Sequence, residues 1–150
     1  MKNPMSLNKS FFVIALVASL LSACEANHSV AVLDAWARAN APGQTVGAAY
    51  MTLISAQDST MVKVESDIAG TVQIHSMSMD NGVMKMRMLE ELPLPAGKAE
   101  KLAPGGFHLM LFDLKKPLTA GESVKLTLTF RGNAGKVTQQ VVTLPVKEGE

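Results

Sequence analysis

The chain has 150 residues and a formal net charge of +1, which suits one compact domain and gives no electrostatic case for binding nucleic acid or an anionic lipid surface. Its one cysteine, Cys24, excludes an internal disulfide framework. Soft-donor metal chemistry in the body of the chain therefore rests on methionine and histidine, of which the whole chain has ten and three.

Residues 1–23 read as an export signal. Lys2 and Lys9 give a positive start, and the apolar run from Phe11 to Leu21 is too short to span a bilayer comfortably. The sequence Leu21-Ser22-Ala23-Cys24 resembles a bacterial lipobox, which implies that Cys24 is lipidated and becomes the mature N-terminus. The expected location is the bacterial periplasm, with a lipid anchor holding the protein to a membrane. The alternative is plain secretion, with Cys24 incidental or removed. Loss of residues 1–23 takes away two lysines and no acid, so the charge moves from +1 to −1 and stays near neutral. Residues 24–29 form the cysteine and a short polar tether, in which His28 is expected to be solvated.

From Val30 the pattern becomes β. Val30, Val32 and Asp34 alternate with Ala31, Leu33 and Ala35. Trp36 follows, either a core or rim aromatic or a cation–π shield for a metal. Asn40-Ala41-Pro42-Gly43 breaks the run, Gly47 to Ile54 is an apolar stretch of strand length, and Met61 to Glu65 alternates as a half-exposed strand. Thr71–Met77 and Val83–Leu89 form a hairpin around Asp80-Asn81-Gly82, because Asn-Gly favours the left-handed turn that joins two strands. Residues 90–106 carry three glycines and three prolines and read as loop with one short strand at Ala99–Leu102. Phe107–Leu114 is a strand. In Glu122–Arg131, Val124, Leu126, Leu128 and Phe130 should point in, with Lys125, Thr127, Thr129 and Arg131 out. Lys136–Val146 returns as the last strand, and residues 147–150 are a polar tail. Eight or nine short strands with regular turns predict an all-β sandwich or Greek-key barrel over residues 30–146.

Six methionines and two histidines fall between His75 and Met110. With Asn81-Gly82 as the turn, Met77 faces Met86 and His75 faces Met88, so His75, Met77, Met79, Met84, Met86 and Met88 share one face. His75 and Met86 are then diagonal neighbours, roughly 7–8 Å apart at the backbone. His108 and Met110 are two residues apart on another strand and also share a face, about 6.6 Å apart. Soft, uncharged thioethers suit Cu(I), and imidazole binds copper as well. Zinc sites take Cys, His and carboxylate, and magnesium or calcium sites take oxygen. Blue and binuclear electron-transfer copper sites need a thiolate, and no cysteine follows Cys24. Copper here would be carried, not used. The register alone leaves open which of Met77, Met84, Met86 and Met88 binds. The competing reading is an alternating methionine stripe that is simply the buried face of a strand, in a structural envelope sandwich with no metal. A copper enzyme is a third reading, with no substrate-pocket motif to support it.

The spacing His75-x10-Met86-x21-His108-x-Met110 resembles the signature of the PCuAC periplasmic copper chaperones. The similarity extends through Asp34-Ala35-Trp36-Ala37-Arg38, Gly47-Ala48-Ala49-Tyr50-Met51, Gly82-Val83-Met84-Lys85-Met86-Arg87, Pro104-Gly105-Gly106 and Leu126-Thr127-Leu128-Thr129-Phe130, covering residues 30–146. The resemblance implies a cupredoxin-like Greek-key β-sandwich and no enzymatic activity. It implies one Cu(I) held by His75, Met86, His108 and Met110; the hairpin register adds Met77, directly opposite Met86, as a candidate auxiliary donor. It also implies delivery to the CuA centre of cytochrome c oxidase, directly or with a Sco-type thioredoxin-like partner. The short tail at 147–150 supplies no second, Met/His-rich copper site of the kind some family members carry.

Overall fold

The computed structural model describes residues 30–149; the export signal, Cys24 and His28 lie outside the described residues. Ten strands form: β1 (Val30–Arg38), β2 (Gly47–Ser55), β3 (Ser59–Ser66), β4 (Ala69–Asp80), β5 (Val83–Leu89), β6 (Leu92–Leu94), β7 (Ala99–Leu102), β8 (His108–Leu114), β9 (Ser123–Gly132) and β10 (Val137–Lys147). Hydrogen bonding runs through the order β5-β4-β8-β2-β1-β10-β9-β3-β6. β7 and β8 lie end to end along the same edge of β2, at Met51–Ile54 and Gly47–Ala49 respectively. A short parallel contact of β1 with β10, at Ala37↔Val146 and Arg38↔Lys147, is where the sheet folds over on itself. One wall is β5-β4-β8-β2-β1 and the other is β10-β9-β3-β6. This is the all-β sandwich the strand pattern predicts.

The walls enclose one apolar core. Ile74, Met51, Leu53, Leu109 and Leu111 come from the first wall, and Met61, Leu126, Leu128, Phe130 and Leu144 from the second. Each such side chain, fully withdrawn from water, contributes roughly 1.5–3 kcal/mol. The inward set on β9 is the expected one, with Val124, Leu126, Leu128 and Phe130 all buried. Thr129 differs from expectation and is buried too. β9 is central in its wall, between β10 and β3, and Thr129 accepts a hydrogen bond from the Gln139 side chain at 3.4 Å.

Three local departures from simple alternation have physical causes. In β1 the register with β2 slips between Leu33 and Trp36, with Asp34 at a left-handed φ of 50°. The bulge reverses the facing, so Val30 and Ala37 both point into the core while Trp36 and Arg38 face outward. In β3 a slip between Met61 and Lys63 puts Met61 and Val64 both in the core, although they are three residues apart. The tenth strand, β6, lies in the segment expected to be loop. Its proline, Pro93, sits between buried Leu92 and Leu94 at the outer edge of the second wall, where a missing N–H leaves no ladder unpaired.

The hairpin carries the predicted register: Asp80↔Val83, Met77↔Met86 and His75↔Met88 are paired. Asn81 and Gly82 both have positive φ, 49° and 77°, as a two-residue turn of type I′ requires. A methyl group on Gly82 would meet nothing within 4 Å, so any effect there is purely conformational. Gly82→Ala is expected to destabilise the protein by about 1 kcal/mol, read as a lower urea midpoint at constant slope. An unchanged midpoint would show that the turn does not need its left-handed glycine.

Candidate metal centre

β4 is the middle strand of the site, with β5 on one side and β8 on the other. Ile74 pairs with Leu89 and with Leu109, and this rung points into the core. The neighbouring rungs therefore face outward. On the central outward rung Met88, His75 and His108 lie in line across three strands. The next rung toward the hairpin tip pairs Met86 with Met77, and the next in the other direction pairs Gln73 with Met110. The four residues singled out by spacing thus share one face. His75 and His108 are direct neighbours, with ring centroids 5.8 Å apart at 43°. Met86 and Met110 flank that pair from opposite directions, one rung away on each side.

His108 is held by a turn that its own sequence specifies. Pro104 and Gly105 occupy the centre of a turn closed by the Gly106 N–H donating to the Ala103 carbonyl at 3.0 Å, with Gly105 at φ 84°. Proline followed by a left-handed glycine is the pattern of a type II turn. The turn presents the Gly106 carbonyl, which accepts from the Met77 N–H at 3.1 Å and from the His108 ring at 3.0 Å. A carbonyl can only accept, so His108 carries its proton on Nδ1 and its Nε2 lone pair is left for a metal. His108 is buried, only 5% exposed, which fixes the ring.

His75 is held by the residue two positions before it. Its Nε2 lies 2.9 Å from Gln73 Oε1 and, with that oxygen as acceptor, carries the proton. The Nδ1 lone pair is buried and has no hydrogen-bond partner. A buried acceptor without a donor raises the free energy of the fold, and a bound cation removes that penalty. The ring also packs against Phe112, at 6.1 Å between centroids. Its pKa is lowered below the usual 6.5, chiefly because burial disfavours the imidazolium and secondly because His108 stands beside it.

The remaining donors are sulfur. Among the described residues, no three His, Cys, Asp or Glu side chains come together in a way that would hold a metal ion. Met79, Met84, Met86 and Met88 are exposed, so they are not the buried face of a strand. The methionines that do pack in the core are Met51 and Met61. Spacing did not disclose the direct pairing of His75 with His108, or the roles of Gln73, Gly106 and Phe112. The one local signal was position, since Gln73 and Gly106 each stand two residues before a histidine. Trp36 is an outward rim aromatic, stacked at 4.7 Å on Tyr50, whose ring also lies under the Arg38 guanidinium at 5.4 Å. It shares the outer face with Met110, which pairs with Ala48, two residues before Tyr50 on β2.

Residues 30–146 match the family model described as "Putative lipoprotein LpqE-like". The chain belongs to this LpqE-like, PCuAC-type family. It is 32% identical over 120 residues to "Putative lipoprotein Lxx21020" of Leifsonia xyli subsp. xyli, covering 79% of this chain and 70% of that protein. Among solved structures it is similar to Cu(I)-DR1885 from Deinococcus radiodurans, with 31% identity, a TM-score of 0.57 and 84% of each chain covered. It also shares the fold of the copper-bound PCuAC domain from PmoF2, with 24% identity, a TM-score of 0.64, and 80% of this chain and 93% of that one covered. The LpqE-like sandwich is thus cupredoxin-like, as the resemblance implied.

The state of His75 gives this LpqE-like domain a pH signature of its own. The folded pKa lies below the unfolded value of about 6.5, so below that pH the unfolded chain takes up the proton first. The metal-free protein should keep full His75-linked stability above pH 6.5 and lose it progressively as pH falls through the folded pKa. Denaturant midpoints from pH 7.5 to pH 5 should fall more steeply for the wild type than for His75→Gln. Parallel curves would contradict the assignment.

Proposed function

We propose that this protein is a periplasmic carrier that binds one Cu(I) through His75, Met86, His108 and Met110. The observation that carries the reading is the His75–His108 rung with thioethers as its flanking donors. Two neutral imidazoles and two thioethers make a soft, uncharged set that suits monovalent copper and leaves zinc without its thiolate or carboxylate. Cu(I)-DR1885, at 31% identity, is a relative whose copper is named in that oxidation state. Met86 is preferred over its neighbours by the family spacing, and Met77, directly opposite it, is an auxiliary donor.

The same geometry supports carriage over catalysis. Met86 stands on an edge strand and is 48% exposed, so an incoming ligand from a partner can displace it first. His108, buried and tied to Gly106, would let go last. Copper passes on by ligand exchange without changing its charge. The acceptor in this proposal is the CuA centre of cytochrome c oxidase, reached directly or through a Sco-type thioredoxin-like partner. Lipidated Cys24 would tether the carrier to a membrane of the envelope.

Leucine keeps the volume and apolarity of methionine and costs under about 1.5 kcal/mol at such sites, but it removes the sulfur donor. Met86→Leu and Met110→Leu should each weaken the tight Cu(I) equivalent by more than about tenfold, roughly 1.4 kcal/mol, with melting temperatures almost unchanged. Met88→Leu should leave that equivalent intact. Anaerobic Cu(I) competition titrations read the result. Wild-type binding by all three variants would end the copper reading, and a loss at Met88 equal to that at Met86 would replace the discrete centre with a diffuse patch.

Cys24→Ser addresses the anchor separately. The variant should accumulate as unprocessed precursor or appear without lipid, while Cu(I) binding is retained. Mass spectrometry of the N-terminus reads the first outcome, and normal lipidation elsewhere on the chain would refute the assignment.

A further inference from the structure

We infer that the tip of the β4–β5 hairpin is a second, weaker Cu(I) site, built from the thioethers of Met77, Met79 and Met84 and separate from the four-donor centre. The inference rests on the Cu(I) reading of the neighbouring site. Met79 and Met84 are directly paired across the two strands, and Met77 follows Met79 two residues along on the same face. Opposite residues have Cβ atoms about 4.5–5.5 Å apart and same-face neighbours on one strand lie about 6.6 Å apart, so three flexible thioethers can reach one point above the ribbon. Three soft, neutral donors with no competing charge are a set suited to monovalent copper and poor for zinc or calcium. The cations of the hairpin, Lys85 and Arg87, lie on the opposite face, and Lys85 is paired with Asp80.

Packing does not account for the two tip methionines. Met79 is 69% exposed and Met84 is 59% exposed. An exposed position in a two-stranded ribbon gains nothing from a large apolar side chain that threonine or a charged residue would not supply with better solubility. The ladder is also continuous with the first centre. Met77 stands opposite Met86, so an ion held at the tip is one ligand exchange from the His75–His108 rung. The tip would accept Cu(I) from an incoming complex and pass it inward.

Stepwise anaerobic titration of the full-length protein with Cu(I) supplied as its acetonitrile complex tests this, with methionine methyl and histidine ring NMR signals as readouts. The wild type should bind two equivalents. The first moves His75, His108, Met86 and Met110, and the second, weaker one moves Met79 and Met84, with Met77, which stands between the two sites, responding to both. The Met79→Leu/Met84→Leu double variant should lose the second equivalent and keep the first unchanged. His75→Ala/His108→Ala, if folded by its amide spectrum, should keep the tip equivalent and lose the tight one; if it is unfolded, the leucine double variant alone decides. A single equivalent with silent Met79 and Met84 methyls, or two equivalents in the leucine variant, overturns the tip site while leaving the carrier reading standing. No Cu(I) bound to the wild type overturns both.

Discussion

The carbonyl of Gly106 is the point at which the site is tied together. It takes one hydrogen bond from the backbone of β4, at Met77, and one from the ring of His108 on β8. The first pins the 103–106 turn against the strand that carries His75. The second chooses the tautomer of His108. Neither bond can be made unless Pro104 and Gly105 form their turn, and Gly105 holds a backbone conformation that L side chains rarely adopt. Withdrawing that carbonyl would leave a buried imidazole N–H without an acceptor, which is expensive in a place only 5% exposed. Metal-binding histidines are commonly held in this way through their second nitrogen. Here the backbone does it for His108 and the Gln73 side chain does it for His75.

Much of this was legible in the chain because it is local. Asn81-Gly82 determines the hairpin turn, the turn determines the register, and the register places five methionines and His75 on one face. The alternation in β9 gave its inward residues for the same reason. What escaped the sequence is non-local or depends on a change of phase. β4 and β8 are separated by the whole stretch 81–107, and nothing in either strand says that His75 will stand opposite His108. Two bulges, at Leu33/Trp36 and Met61/Lys63, shift the facing of everything after them. β6 was hidden by its proline, which argues against a strand except at an edge.

The site also separates what holds the fold from what meets the metal. The core is closed by leucines, Met51, Met61 and Phe130 on the inward rungs, while every proposed copper donor lies on outward ones. Changing an outward thioether therefore leaves the packing of the two walls alone. His75 and His108 are the intermediate case, since both rings are drawn into the surface and one buried nitrogen is left without a partner. That unmet acceptor is local, and in the proposed carrier the ion would satisfy it, so metal binding should stiffen this rung more than it stabilises the sandwich as a whole.

The edge position of β5 sharpens the case for chemistry over packing. An edge strand offers unpaired backbone groups to any other strand, and proteins usually guard such edges with charge, proline or a bulge. β5 has Lys85 and Arg87 on one face, which is a guard of that kind. On its other face it has Met84, Met86 and Met88, all exposed and apolar. Selection for solubility alone would put polar residues there, as it does on the opposite face of the same strand. A thioether is the side chain that can stay uncharged, remain flexible enough to reach an ion, and bind Cu(I) without being lost to a disulfide in an oxidising compartment. In the proposed carrier the edge would stay exposed because a donor that must be surrendered to a partner cannot be buried.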